Sequence, residues 1–278
     1  MFAYHFMVNA FRAGAIVALV AGAVGWFMIL RRQAFAGHTL ALVGFPGAAG
    51  AVWLGISATW GYLGFCTAAA LLISALPHPG GRAHGDEAAG IGVIQAFALA
   101  CGFLFVSLYR GYLTGVNALL FGSFLGITDG QVVVLLIVGT AALAVLALVA
   151  RPLLFASIDA DVAAARGLRV RGLSTAFLIL LGLTVAEVSQ ITGTLLVFAL
   201  LVMPAATAQT ITARPALSFT LTIVIALGIT WTALTVAFYS PYPIGFWVTT
   251  IGFATYLLAV GFRHSRTFGR GRSTSLPT

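Results

Sequence analysis

Of the 278 residues, 61% are hydrophobic and only 7% are charged. Soluble domains carry about 25% charged residues, so this balance leaves too little polar surface for water and places the chain in a bilayer. The net charge of +8 comes from 14 arginines and no lysine, against 6 acids. These arginines lie between apolar runs with no aromatic-interleaved basic patch, which excludes nucleic acid as a partner.

The first apolar run, 10–30, has no basic flank ahead of it and is followed by Arg31 and Arg32. It reads as a span rather than a cleaved signal peptide. Spans are predicted next at 39–57 and 59–76. The stretch 77–88 is rich in Pro and Gly and holds two His and an Asp-Glu pair; it reads as a solvated turn in preference to a metal site. A fourth span covers 89–108. Residues 117–126 are apolar but reach only about 15 Å as a helix, half a bilayer, and read as an interfacial or re-entrant half-helix. Further spans follow at 131–150, 173–190, 193–212, 216–238 and 245–262. The 173–212 stretch is read as two spans hinged at Gln190–Gly193, with one span plus a re-entrant piece as the alternative.

The expected architecture is therefore all-α: a polytopic transmembrane helix bundle of eight or nine spans in one domain, 1–262. That many spans leaves no room for an ATPase or a receptor domain. An irregular basic tail, 263–278, would lie near acidic lipid head groups. The 32 glycines, with runs such as Gly44 to Ala51, let helix backbones approach one another in lipid. Cys66 and Cys101 lie inside apolar runs and read as small core residues. Trp53, Trp60, Tyr62, Tyr239, Tyr242 and Trp247 read as anchors at the membrane interface.

Arginine placement predicts orientation, because short cytoplasmic loops collect positive charge. With the N-terminus outside, the loops after the odd-numbered spans are cytoplasmic. They hold 12 of the 14 arginines, all but Arg12 and Arg110. This places the chain in a plasma membrane with its C-terminus in the cytoplasm.

One of these cytoplasmic connections, 151–172, differs from the rest. Ser157 is a good N-cap, Asp159 and Asp161 suit the positive end of a helix dipole, and Ala163 to Ala165 form a body. Arg166 and Gly167 then supply a C-terminal stop. The expectation is a short cytoplasmic helix within 155–171, small enough in cross-section for another protein to lie against it.

Read with its neighbours, this segment resembles the coupling helix of the zinc and manganese importer permeases of the ABC-3 family, carried here by Ser157, Asp159, Ala163 and Gly167. The resemblance continues in order along about 9–262. It runs through Leu30-Arg31-Arg32, Phe45-Pro46-Gly47, Asp86 to Ile91, Asn117 to Gly122, Gln190 to Val197 with Gly193, and Met203-Pro204 to Ala208. It implies a transport subunit that is not itself an enzyme and binds no cofactor. ATP and Mg would act on a separate ABC ATPase present in two copies. The permease would be a homodimer, served by an extracytoplasmic metal-binding protein. The cargo would be a divalent metal ion, zinc first and manganese second. Alternatives are a permease for a metal chelate and an ATPase-independent secondary transporter. The latter needs carboxylates in mid-span, and only Glu187 qualifies.

The family carries Gly-Asp-Ala-x-Ser-His early in its second span, with Asp and His as cation ligands. Here the aligned residues are Gly37-His38-Thr39-Leu40-Ala41-Leu42, so His38 replaces the Asp and Leu42 the His. Three readings follow. A two-His site across a dimer axis would suit zinc or copper. Other polar groups, Glu187 or Gln190, could serve instead. Or the cargo is a chelate or a loosely held cation, and His38 is merely interfacial. Pro46, Gly47, Gln190, Gly193 and Pro204 are the expected path and packing residues.

Overall fold

The computed structural model describes residues 1, 4–76, 84–109 and 126–271. Within them the backbone forms helices α1 (His5–Leu30), α2 (Ala34–Trp53), α3 (Ala58–Ala75), α4 (His84–Leu108) and α5 (Asp129–Ile158). After these come α6 (Ala160–Ala165), α7 (Val170–Thr192), α8 (Thr194–Ile211), α9 (Pro215–Tyr239) and α10 (Ile244–Gly271). Among the described residues there is no strand, and eight helices are long and apolar enough to cross a membrane; the apolar part of α8 is shorter, Leu196–Ile211.

The all-helical bundle follows from the sequence pattern, because a backbone in lipid must satisfy its own hydrogen bonds. Every expected span matches a helix, most ends shift by a few residues, and α5 runs on past the expected end at 150 to Ile158. The half-helix expected at 117–126, except its last residue, and the part of the polar loop at 77–83 lie outside the described residues. Asp86 and Glu87, read as loop, belong to the first turn of α4. At the other end α10 stays helical to Gly271, past Arg263, where the irregular tail was expected to begin.

Three contacts set the axis of the bundle. At one end the His5 imidazole Nε2 lies 2.9 Å from Asp129 Oδ2, and Asn9 Nδ2 donates to the Ile127 carbonyl at 3.3 Å. At the other, Arg31 Nη1 donates to Ser157 Oγ at 3.2 Å. Helices α1 and α5 therefore run side by side in the same direction. α9 returns antiparallel to α1, with Trp26 Nε1 donating to Ser218 Oγ at 3.0 Å and Tyr4 and Phe238 rings 6.0 Å apart at the opposite end. This topology gathers Arg31, Arg32, Arg166, Arg169, Arg171 and Arg214 at one end of the bundle.

The centre is built from α1, α2, α7 and α8. Small residues allow this: Ala10, Ala13, Ala18, Ala21 and Gly25 of α1 are all buried. Gly47 and Gly61 touch backbone to backbone between α2 and α3, where a Cβ on either would run into the other's carbonyl. Helices α4, α5 and α10 turn large apolar side chains outward, Phe97, Leu148 and Leu258 among them. Tyr62 departs from its expected role as an interface anchor. It is 2% exposed and packs against the Gly44 gap in α2, because a glycine there leaves room for a ring. Trp53, Trp60, Tyr239 and Tyr242 are exposed at helix ends.

Candidate coupling helix and translocation path

The segment 151–172 folds into the end of α5, the isolated turn-and-a-half of α6, and the start of α7. Ser157 is not the N-cap. Its hydroxyl donates back to the Leu153 carbonyl at 2.5 Å, which keeps it in the last turn of α5. The cap is Asp159, whose backbone is extended (φ −146°, ψ 102°) and whose Oδ1 accepts the Val162 N–H at 2.9 Å. At the far end Gly167 takes φ +84°. Its N–H donates to Ala164 O at 2.9 Å and that of Leu168 to Ala163 O at 3.1 Å, a Schellman closure that needs a left-handed residue. Both ends of α6 are thus satisfied locally, which lets six residues hold a helix without a partner.

Ala163 is fully buried against the flanking helices, while Asp161, Val162, Ala164, Ala165 and Arg166 face out. The exposed face is low-relief, with Val162 and the adjoining Ile158 as its apolar projections. The helix packs against both α5 and α7.

A second cluster lies deeper. Thr59 Oγ1 donates to Gln190 Oε1 at 2.7 Å, and Gln190 Nε2 donates to Glu187 Oε2 at 3.3 Å. Three residues on, Gly193 takes φ +76° and ψ 157°, a region open in practice to glycine alone. It ends α7 and starts α8 with no residue between. The break is wedged against the middle of α2, where Thr194 approaches Gly44. Irregular backbone at this depth is tolerated because protein covers it. The buried hydroxyls of Thr184, Ser189 and Thr194 lack partners here.

Thr59, Gln190 and Glu187 therefore meet where α3 and α7 come together, and the break at Gly193 lies beside α2 at Gly44, whereas Gly47 packs on Gly61 of α3 and Pro46 faces Gly102 of α4. His38 and Pro204 do not join them. His38 lies six residues before Gly44, about 9 Å along α2, with its ring 4.6 Å from that of Phe198 and its Nδ1 buried without a partner. Pro204 lies inside the unbroken α8 beyond Phe198, next to Met203, whose sulfur packs toward Gly252 of α10. No group of three or more His, Cys, Asp or Glu close enough to hold a metal occurs among the described residues. Sequence reasoning passed over Thr59, and also Gln95, whose Oε1 accepts from Thr39 Oγ1 at 2.8 Å. A glutamine in mid-span was a usable signal for Gln95; a threonine at a helix start was none for Thr59.

A bundle of apolar helices, one of them broken at depth, with a capped helix projecting at its arginine-rich end, defines a multi-pass membrane permease subunit. The comparisons agree. The chain matches the model of the ABC 3 transport family over residues 3–263, and it belongs to that family. It is 33% identical over 205 residues to the manganese import system permease protein ScaB of Streptococcus parasanguinis, covering 74% of this chain and 72% of that one. It is 32% identical over 209 residues to the manganese transport system membrane protein MntC of Listeria monocytogenes, covering 75% and 73%. Among solved structures it resembles PsaBC from Streptococcus pneumoniae in complex with Fab, at a TM-score of 0.80, 26% identity, and coverage of 92% and 91%. A putative metal-chelate type ABC transporter shares the fold at a TM-score of 0.67 and 16% identity, covering 90% and 84%.

Proposed function

We propose that this chain is the membrane subunit of an ATP-driven importer for a divalent metal ion, manganese ahead of zinc, and that α6 is its contact with a separate ATPase. The observation that carries the proposal is α6 itself: a helix closed at both ends by its own caps, exposed between two spans at the arginine-rich end. That end would be cytoplasmic. One such helix per chain and two ATPases make the working permease a homodimer, with a metal-binding protein delivering cargo at the opposite face. ATP and Mg act on the ATPase, and this chain supplies path and coupling.

The order of metals reverses the expectation from sequence. A two-His site would favour zinc, but His38 packs on Phe198, away from the Thr59, Gln190 and Glu187 cluster. The groups gathered there are the Glu187 carboxylate, the Gln190 amide and the Thr59 hydroxyl. Oxygen donors of this kind suit a hard cation such as manganese, and the relatives named as manganese permeases support the same order. With no cage of His, Cys and acids among the described residues, cargo would be held weakly and in steps, as passage requires.

The test is ATPase stimulation in the reconstituted permease–ATPase complex, with manganese-loaded binding protein added. Asp159→Ala and Gly167→Ala are expected to leave the complex assembled and basal hydrolysis intact while stimulation falls several-fold. Unchanged stimulation in both variants would contradict the docking role of α6.

A further inference from the structure

Arg31 holds three elements at once. It lies half-buried in the connection between α1 and α2, and its Nη1 donates to Ser157 Oγ in the last turn of α5 at 3.2 Å. Its Nη2 donates to Ser174 Oγ in the first turns of α7 at 2.5 Å, and its Nε to Gln33 Oε1 at 3.4 Å. The guanidinium carbon lies 5.6 Å from the centre of the Phe177 ring, also on α7. Ser157 and Ser174 belong to the two helices that bracket α6. One planar fork therefore spans the base of the α5–α6–α7 corner and ties it to the corner where α1 becomes α2.

The backbone aims this fork. α1 ends in a Schellman closure, with Arg32 N–H donating to Ile29 O at 3.0 Å and Gln33 N–H to Met28 O at 2.9 Å. That closure puts Arg32, a non-glycine residue, at φ +57°. Such a conformation persists only where its surroundings over-determine it. Beside Ser174, a cavity of about 460 Å³ lined by Ser74, Leu76, Val170, Arg171, Ser174 and Leu178 leaves the first turn of α7 room to shift.

We infer that Arg31 is the positioning residue that makes the α5–α6–α7 corner and the α1–α2 corner move as one, so that displacement of α6 reaches α2 and the α7–α8 break that lies beside it at Gly44. The inference rests on the reading of α6 as the ATPase contact. Displacement arriving at α6 passes into α5 and α7, whose facing ends are joined along the backbone only through α6 and its flanking residues. A side chain that bonds both, and that begins three residues before α2, converts their shift into a shift of α2. Lysine cannot substitute, because a single ammonium on a flexible stem lacks the fixed fork.

The experiment measures manganese transported per ATP hydrolysed in proteoliposomes holding the permease, ATPase and binding protein. Arg31→Lys and Arg31→Ala are expected to lower this ratio by at least about fivefold, the lower end of coupling between sites, with basal hydrolysis retained. Arg31→Lys should leave the unfolding temperature of the permease unchanged, which a merely structural role for the fork would not allow alongside the lost ratio. Should Arg31→Ala fail to assemble, the pair Ser157→Ala and Ser174→Ala removes both acceptors and keeps the arginine; the same drop is expected. A wild-type ratio in Arg31→Lys or in the double serine variant overturns the inference. Gly167→Ala, run in parallel, separates the two ideas. If it lowers the ratio and the Arg31 and serine variants do not, only the role of Arg31 fails; if it too is without effect, the reading of α6 fails with it.

Discussion

Positive backbone angles separate two kinds of residue here. Gly193, at φ +76° and ψ 157°, stands where any side chain is strained, and Gly193→Ala is expected to cost about 1–3 kcal/mol. Arg32 stands at φ +57° although it is not glycine. Arg32→Gly should relieve strain of up to about 1 kcal/mol and raise the unfolding temperature in detergent, or at worst leave it unchanged. A fall for Arg32→Gly, or a neutral Gly193→Ala, would show that these angles are not what the chain adopts. At this scale the sequence was partly legible. Gly167 announced a helix stop, and Gly193 was placed correctly at a hinge. Ser157 was misread because two good N-cap types, Ser and Asp, lie two residues apart, and only the back-bond to Leu153 decides between them. The reach of Arg31 was not legible at all, since its partners lie 126 and 143 residues away.

Between elements, close approach replaces apolar attraction as the source of specificity, since lipid is as apolar as any leucine. The α2–α3 contact at Gly47 and Gly61 leaves no room for a Cβ, whereas Gly64, one turn on, has open space around it. Gly47→Ala should therefore separate α2 from α3 and lower the unfolding temperature of the permease, with Gly64→Ala as a near-neutral control. Similar losses at both positions would mean that glycine acts there through the unfolded chain rather than through packing. The hydrogen bond from Thr59 to Gln190 links the same helices. Gln190→Leu should cost about 0.6–2 kcal/mol, the range for such bonds in lipid, and reduce manganese uptake more than Gln95→Leu does. Spans were legible as apolar stretches of sufficient length. Which glycine meets which helix was not, because the run from Gly44 to Ala51 looks alike on every face.

Over the whole molecule, arginine asymmetry and topology tell one story. The alternation of spans inferred from loop charge agrees with the helix directions fixed by His5–Asp129 at one end and Arg31–Ser157 at the other. What the sequence could not convey was that α1 and α5, far apart in the chain, run in parallel as neighbours, or that Glu187 and Gln190 converge with Thr59 while His38 packs on Phe198. Those relations depend on long-range packing, and a linear pattern of apolar residues carries no record of it. His38 and Leu42 stand where the resemblance places the family's ligands, and the oxygen donors of the proposed path, Thr59, Gln190 and Glu187, come together from α3 and α7.

The central claim is that this permease passes a divalent metal only when an ATPase acts through α6. The most direct test is uptake of manganese into proteoliposomes holding the permease, its ATPase and its metal-binding protein, compared between wild type and Gly167→Ala. Uptake should require ATP and fall several-fold in the variant while the complex stays assembled. Uptake that proceeds without ATP, or at the wild-type rate in Gly167→Ala, would contradict the account.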